Sequence, residues 1–315
     1  MILKTATLKY VSCKQSMGMS FETEATILRA FVKQMAENIA VGSVTSENVL
    51  RYLDGRDENP MTSFWHRKHD ALSGFWRFAI QRGYTDRSPI PVYRPKKPTP
   101  FVPHIYTHEE LKRLLGGVTT YQQKWLKLEP VTFRAVLLLL YGAGLRCNEA
   151  LRLTCSDVDL ADATLTIRET KFYKTRRIAL SSHLLRVLQG YDSNRREKGH
   201  PRNGTAPFFT YKNGAPVARF VMEDAFLRLR THVGVKRQNA RYQPRLHDLR
   251  HTFTVHRLIA AYRDGADVQR LLPALSIHLG HISIRNTQQY LTMTPDFLAE
   301  ASLRFEGYAQ EVFRG

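Results

Sequence analysis

Six of the 14 prolines in this 315-residue chain fall within 15 consecutive residues, from Pro89 to Pro103. Proline lacks a backbone N–H and clashes with a helix interior, so this run excludes both an α-helix and a central β-strand. Arg94, Lys96 and Lys97 lie inside it, a composition typical of an extended, semi-rigid basic linker. The sequence therefore predicts two folded parts, residues 1–100 and residues 101–315.

The chain is strongly basic, with 47 lysines and arginines against 28 aspartates and glutamates and a formal net charge of +19. Such a balance favours a polyanionic partner, either nucleic acid or an acidic membrane surface. Between Arg195 and Arg257 there are 14 basic and only four acidic residues. Because a solvated surface usually mixes both signs, this bias favours a surface that follows nucleic-acid phosphates.

Several classes of protein are excluded by simple patterns. The longest apolar stretch, Ala135 to Leu145, is far shorter than the roughly 20 residues that span a bilayer, so we expect no transmembrane helix and no membrane partner. The first residues lack a secretion signal, and the three cysteines form no CxxC motif, which together favour a reducing cytoplasm. No GxxxxGK[ST] motif is present, so ATP-driven work is not expected.

The first part of the chain is predicted to be helical. Ser20 is a candidate cap for a helix from Phe21 to Ala40, where apolar residues recur at intervals of four. A second helix is expected after Thr45, and a third from Thr62 to Arg82. The third helix mixes aromatic and basic residues, which indicates an aromatic core flanked by charge; a basic face lying on phosphates is compatible with the same pattern.

The second part is predicted to be mainly helical with a small β-hairpin. Thr107 is a candidate N-cap, and the apolar segment Val131–Tyr141 is typical of a helix buried on all sides. The glycines at 142 and 144 then break this helix, and a new helix carries Arg146. Residues 163–180 change to a strand, turn and strand pattern, and further helices follow.

The histidines near the end of the chain are candidate metal ligands. His247 and His251 are four residues apart on a predicted helix, as in zinc proteases. That motif requires Glu beside the first histidine, whereas this chain has Asp248, and Arg250 between the two would repel a dication. The pattern therefore disfavours a metal, and no cofactor is expected.

Four segments occur in a fixed order along the second part of the chain. They are GAGLRCNEALRL with Arg146, TKFYKTRRIAL with Lys171, RLHDLRHTF with His247 and Arg250, and LGHISIRNTQQYL with His281 and Tyr290. Together they resemble the catalytic domain of the tyrosine recombinases, the phage-integrase and Xer/Cre-like site-specific DNA recombinases. The resemblance covers about residues 104–295, and the segment LPALSIHLGH is similar to the version in recombinases associated with mobile elements.

The resemblance implies a two-domain fold, a reaction and a set of partners. Residues 1–100 would form a helical core-binding domain and residues 101–315 a mixed α/β catalytic domain. The enzyme would cut and rejoin duplex DNA through a 3′-phosphotyrosyl intermediate, as a homo-oligomer of four subunits, in the cytoplasm. A type IB topoisomerase uses nearly the same residues, and a DNA-binding regulator with a silent active site is the alternative from another class.

The phosphate-binding groups follow from the charge that the reaction develops. Arg146 and Arg250 can hold the non-bridging oxygens with forked hydrogen bonds as negative charge builds up in the transition state. His247 and His281 can add donors to the same phosphate. His247 is also a candidate for moving a proton to or from the attacking oxygen.

The nucleophile and the acid complete the predicted site. The phenol of Tyr290 would attack the phosphorus, and Lys171 would protonate the departing 5′-oxygen, with Lys174 as its competitor. Glu149 would either orient Arg146 or a neighbouring residue, or have only the ordinary role of an acidic residue in the first turn of a helix. Asp248 is expected to be a structural support. After Tyr290, a last amphipathic helix from about residue 295 would dock on its own domain or on a neighbouring protomer.

The segments also depart from the family pattern. Phe172 and Tyr173 stand where many relatives carry glycine and a small polar residue, in the turn that contains Lys171. Asn286 replaces a common threonine, and Leu291 and Thr292 replace the frequent Thr-His after the nucleophile. None of these changes removes a reactive group.

Overall fold

The computed structural model describes residues 1–55, 62–96, 101–120, 127–168, 175–237, 242–280, 283–285, 287–288 and 290. The chain divides into two compact units, Met1–Phe101 and Val102–Gly315. Each unit has a hydrophobic core of its own. The roles of the two units as core-binding and catalytic domains stay predictions at this point.

The first unit contains four α-helices among its described residues: α1 (Leu3–Ser16), α2 (Glu22–Lys33), α3 (Ser46–Asp54) and α4 (Ser63–Gln81). The helices predicted after Thr45 and Thr62 are confirmed, and both threonines act as N-caps. The Thr45 hydroxyl accepts a hydrogen bond from the Asn48 amide at 3.3 Å, and that of Thr62 accepts one from the Trp65 amide at 3.1 Å. These bonds satisfy amides that the first helical turn leaves without a partner.

The core of the first unit is aromatic, as predicted. Phe31 lies edge-on to Trp76 and to Tyr52, with ring centroids 5.7 and 5.1 Å apart. The basic residues Arg67 and Arg77 of α4 are exposed, outside this core. Whether that charge contacts phosphates stays a prediction.

The predicted helix from Phe21 to Ala40 is wrong in length and in its cap. Ser20 does not cap it, because Phe21 occupies the N-cap with a left-handed backbone, and α2 ends at Lys33. Beyond that point the backbone bonds to the start of the chain: the amide of Leu3 donates to the carbonyl of Ile39 at 2.9 Å. This long-range pairing replaces the helical hydrogen bonds that the local pattern favoured.

The second unit contains seven α-helices and three β-strands among its described residues. The helices are α5 (His108–Thr120), α6 (Pro130–Gly142), α7 (Cys147–Leu151), α8 (Ser182–Glu197), α9 (Arg219–His232), α10 (Asp248–Arg263) and α11 (Val268–Leu279). The strands are β1 (Val158–Asp159), β2 (Thr164–Ile167) and β3 (Arg176–Ala179).

The strands form one antiparallel sheet in the order β1-β2-β3. Leu165 pairs with Ile178 and Ile167 pairs with Arg176, and the three apolar residues of these pairs are buried. The sheet has one more strand than the predicted hairpin, because the two-residue β1 pairs with the outer edge of β2. The predicted fold class, mainly α with a small sheet, is confirmed.

Helix α6 forms the centre of the second unit. Eight of its 13 residues are buried, and it packs against α5, α7, α8 and α10. The chain turns sharply after it through Gly144, which has a φ of +63°. A Cβ on Gly144 would lie 2.3 Å from the ring of Phe253 on α10, so this turn requires glycine. The turn brings the next residues, which carry Arg146, to the surface shared with α10 and α11.

Candidate active site

Arg146 is the N-cap residue of α7 and the most accessible arginine of the candidate site. Its guanidinium donates a hydrogen bond to Glu149 Oε1 at 2.7 Å. Longer contacts join it to the carbonyls of Leu279 and Gly280, at 3.5 and 3.3 Å. The side chain keeps 34% of its surface exposed, so it can also bind a ligand.

Arg250 lies in the first turn of α10 and is almost fully buried. Its guanidinium donates to the carbonyls of Gly144 and Leu279, at 2.7 and 2.6 Å. Burial and then the charge of Arg146 lower the pKa of Arg250 to about 9, so the group remains charged at neutral pH. Arg250 therefore connects the turn before α7 to the end of α11 and places a fixed positive charge between them.

Glu149 is the shared carboxylate of the site. It accepts hydrogen bonds from Arg146 and from Arg176, whose Nη2 lies 2.8 Å from Oε2, and it lies 3.8 Å from Arg250. Burial would raise the pKa of Glu149, but the hydrogen bond and charge of Arg176, followed by Arg146, lower it to about 2. Both roles predicted for Glu149 are present. It holds the guanidinium of Arg146, and its Oε2 accepts a hydrogen bond from the backbone amide of Arg146 at 3.1 Å, as an acidic residue in the first turn of a helix can.

Arg176, the first residue of β3, was not among the predicted site residues. Its Nε donates to the carbonyl of His278 at 2.8 Å, while its other nitrogens bind Glu149. A Cβ on Gly280 would lie 2.7 Å from the Arg176 guanidinium, and Gly280 has a φ of +63°. The glycine of the LGH segment is therefore required both by the helix end and by the arginine packed against it.

Tyr290 is 5% exposed and lies against α10. Its Oη is 2.7 Å from Nδ1 of His251, a residue that the sequence pattern indicates only as a candidate metal ligand. Burial raises the pKa of Tyr290, and the charges of Arg250 and Arg146 and a hydrogen bond with Thr254 oppose that rise. In this arrangement the phenol is protonated at neutral pH.

His247 is the N-cap residue of α10 and is solvent-exposed. Its ring stands perpendicular to that of His251, with centroids 5.0 Å apart. Burial of the ring by surrounding protein, followed by electrostatic interactions with His251 and Arg250, lowers the pKa of His247. A neutral imidazole therefore faces solvent at the edge of the site.

Asp248 fits the supporting role predicted for it. The side chain is fully buried, and its carboxylate accepts from the amide and from the guanidinium of Arg245, both at 2.9 Å. These bonds fix the segment that leads into α10, where His247 and Arg250 follow.

Among the described residues, the structure brings Arg146, Arg250 and Tyr290 into one site with His247 at its edge. Lys171, its competitor Lys174 and His281 lie outside the described residues, as do Phe172, Tyr173, Asn286 and the segment after Tyr290. The predictions for those positions stay predictions.

The described part of the chain lacks two kinds of feature. It contains no group of three or more His, Cys, Asp or Glu side chains placed to hold a metal ion. None of its helices combines the length and apolar character needed to cross a membrane.

Comparison with known proteins gives a consistent family. The sequence model of the phage integrase family matches residues 105–296. A Sinorhizobium fredii protein provisionally named an integrase/recombinase is 30% identical over 308 residues, which are 96% of each chain. The Tn1549 transposon integrase, solved in complex with transposon right end DNA, matches with a TM-score of 0.69 at 18% identity, covering 98% of this chain and 100% of that one. The lambda integrase tetramer bound to a Holliday junction matches with a TM-score of 0.65 at 16% identity, covering 92% of this chain and 77% of that one.

The two structural matches show that the fold is shared. Because their sequence identities are only 18% and 16%, they show nothing beyond the fold. The family match covers more than half of the chain, so the chain belongs to the phage integrase family of tyrosine recombinases. The resemblance carried by the four sequence segments is confirmed.

Proposed function

We propose that this protein is a site-specific recombinase of a mobile element, which cuts and rejoins duplex DNA without metal or ATP. The observation that carries the proposal is the placement of a buried tyrosine beside Arg146 and Arg250. Among the described residues, three guanidiniums (Arg146, Arg176 and Arg250) share the single carboxylate Glu149, so the cluster keeps an excess of positive charge. Such a pocket suits a phosphodiester, whose negative charge increases in the transition state.

Arg146 would make the first contact with the phosphate, because it is the exposed member of the cluster. Arg250 is held by two backbone carbonyls and would contribute a charge that does not need to reorient during the reaction. Preorganised charges of this kind stabilise a transition state more than mobile ones do. His247, neutral at the edge of the site, and His281 would add donors to the same oxygens.

Tyr290 would attack the phosphorus through Oη. The P–O5′ bond breaks, a 3′-phosphotyrosyl bond forms, and the 5′-oxygen leaves as a hydroxyl after Lys171 protonates it. Because the covalent bond conserves the energy of the phosphodiester, the 5′-hydroxyl of a second strand can attack it and release Tyr290. Joining then needs no external energy source.

DNA is the proposed partner because of the charge of the chain and its similarity to integrases that were solved with DNA. About half of the net charge of +19 lies between Arg195 and Arg257, a stretch that includes the start of α10, and the Tn1549 relative was solved with DNA. The lambda relative was solved as a tetramer on a Holliday junction, which supports a four-subunit assembly here. A cytoplasmic location, where chromosomal DNA is accessible, stays part of this proposal.

The test is covalent capture. The protein is incubated, in EDTA, with nicked duplexes that carry randomised flanks, and DNA that stays attached in detergent is recovered and sequenced. We expect an adduct that is enriched for one sequence and absent in Tyr290→Phe. An adduct that persists in Tyr290→Phe, or that requires a divalent metal, would contradict the mechanism.

Two further readouts separate the alternatives. Joining of the captured strand to a second duplex is expected of a recombinase, whereas relaxation of supercoiled plasmids without sequence preference indicates a type IB topoisomerase. Binding of DNA with no adduct on any duplex would identify a silent regulator.

A further inference from the structure

We infer that His251 is the group that accepts the proton of Tyr290 when the tyrosine attacks. The inference rests on the proposed function and adds a residue to its machinery. It starts from the 2.7 Å separation between Nδ1 of His251 and Oη of Tyr290, a hydrogen-bonding distance at the oxygen that would react. The two rings are tilted by 47° with centroids 5.5 Å apart, so the contact is made by the polar edges.

The burial of the phenol explains why a protein base is needed. Tyr290 is 5% exposed, and burial raises its pKa, so ready loss of its proton to bulk water is disfavoured. Arg250 and Arg146 stabilise a phenolate electrostatically, yet a guanidinium accepts no proton. The hydroxyl of Thr254, which donates to the Arg250 carbonyl at 3.0 Å, is also no base near neutral pH. An imidazole can take the proton, and that of His251 is at hydrogen-bonding distance from Oη, whereas His247, the histidine that the sequence suggested for proton transfer, makes no described contact with Oη.

The proton transfer is coupled to the substrate by charge. An imidazolium at His251 would stand next to Arg250 in the chain and beside the ring of His247, 5.0 Å away. A phosphate held by Arg146 and Arg250 would bring negative charge, which favours the positive form of an imidazole nearby. His251 therefore takes the proton from Oη as the Oη–P bond forms, and Tyr290 is not activated without DNA.

The helix offers a matched control. His256, farther along α10, forms a similar pair in which its Nδ1 lies 3.0 Å from the hydroxyl of Tyr141. This pair is outside the group of Arg146, Arg250 and Tyr290. His256→Gln therefore reports the cost of losing a partly buried histidine–tyrosine contact on the same helix without changing the proposed base.

The first measurement needs no DNA. If Nδ1 of His251 accepts, the neutral ring must carry its hydrogen on Nε2, which nitrogen-15 NMR of labelled histidine detects. A ring that carries hydrogen on Nδ1 would donate to the phenol instead and would overturn the inference. This measurement uses the unaltered chain, so it stands even where a variant fails to fold.

The second measurement is the single-turnover rate of adduct formation on the captured duplex. We expect His251→Gln to lose about 100-fold in rate, the lower range for a general base, and His256→Gln to stay within a few-fold of wild type. Replacement of Tyr290 by 3,5-difluorotyrosine, a more acidic phenol, should restore much of the rate in His251→Gln.

An unchanged rate in His251→Gln, or a loss that the acidic phenol does not relieve, would overturn the role of His251 while leaving the recombinase intact. No adduct with the wild-type chain would instead remove the proposed function and this inference with it.

Discussion

Arg176 donates two hydrogen bonds to Glu149, at 2.8 and 3.3 Å, and so joins the start of β3 to the first turn of α7. Its third nitrogen reaches the carbonyl of His278 near the end of α11. One planar group thus fixes the relative positions of three elements that carry the candidate site. Lysine has a single ammonium and could not make these contacts together.

Arg176→Ala should destabilise the fold, because it leaves the buried Glu149 without its strongest partner. We expect the free energy of unfolding to fall by about 3 kcal/mol, the scale for removing one side of a buried ion pair. The neighbouring Arg177 is exposed, and its only described side-chain hydrogen bond is to the hydroxyl of Thr164. Arg177→Ala should therefore change the free energy of unfolding by less than about 0.5 kcal/mol. Urea unfolding of the two variants measures the difference, and equal losses would refute the role given to Arg176.

Glu149→Gln should change how stability depends on acid. In the folded chain the pKa of Glu149 is about 2 against an ordinary value of 4.5, so its ionised form stabilises the fold above pH 4.5. That contribution, about 3 kcal/mol at 1.36 kcal/mol for each pKa unit, is lost as the pH falls from 4.5 towards 2. The wild-type and variant curves of unfolding free energy against pH should therefore converge near pH 2. Curves that stay parallel over this range would show that the carboxylate is not held in its charged form.

Arg146→Ala should separate activity from stability. The side chain is about one-third exposed and Glu149 keeps Arg176, so we expect a loss of less than about 1 kcal/mol in unfolding free energy. Adduct formation should slow by about 100- to 1000-fold, since a donor to the transition-state charge is gone. Arg152→Ala, an exposed arginine at the other end of α7, is the control that should keep the wild-type rate. A similar rate for both variants would remove Arg146 from the phosphate site.

Gly144→Ala should cost more than the same change at Gly234. Both glycines have a left-handed backbone, which costs an alanine about 1–2 kcal/mol, but a Cβ at Gly234 meets open space. At Gly144 it would collide with Phe253, whose ring is buried and stacked on His278 at 5.5 Å. We expect a further loss of about 1–3 kcal/mol there, measured by thermal or urea unfolding. Equal losses at the two positions would mean that Phe253 moves aside freely.

The parts of the fold that the sequence predicted are those with local signals. Thr45, Thr62 and Thr107 each accept a hydrogen bond from an amide in the following turn, as their side chains and positions indicated. Helix α1 was missed because its buried face mixes Ala6, Thr7 and Tyr10 with few strongly apolar residues. The early end of α2 depends on backbone pairing with the start of the chain, which no local pattern contains.

The candidate site was predictable where a motif names the residue. Arg146, Arg250 and Tyr290 came from the four segments and lie together among the described residues. Arg176 and His251 were missed because their partners are 27 and 39 residues away in the chain. His251 carried a partial signal, since it follows Arg250 and lies one turn after His247, but only the fold reveals the phenol at its Nδ1.

The carbonyls at the end of α11 accept hydrogen bonds from both arginines proposed to hold phosphate. Arg250 binds Leu279 at 2.6 Å, whereas Arg146 contacts Leu279 and Gly280 only at 3.5 and 3.3 Å. An anion that draws Arg146 away would therefore release part of the cap of the helix that leads to the nucleophile. By thermodynamic reciprocity, any change in the segment after α11 that alters these contacts also alters the affinity of the pocket for an anion. Binding of an anion by Arg146 and the hydrogen bonds at the end of α11 would therefore be thermodynamically coupled.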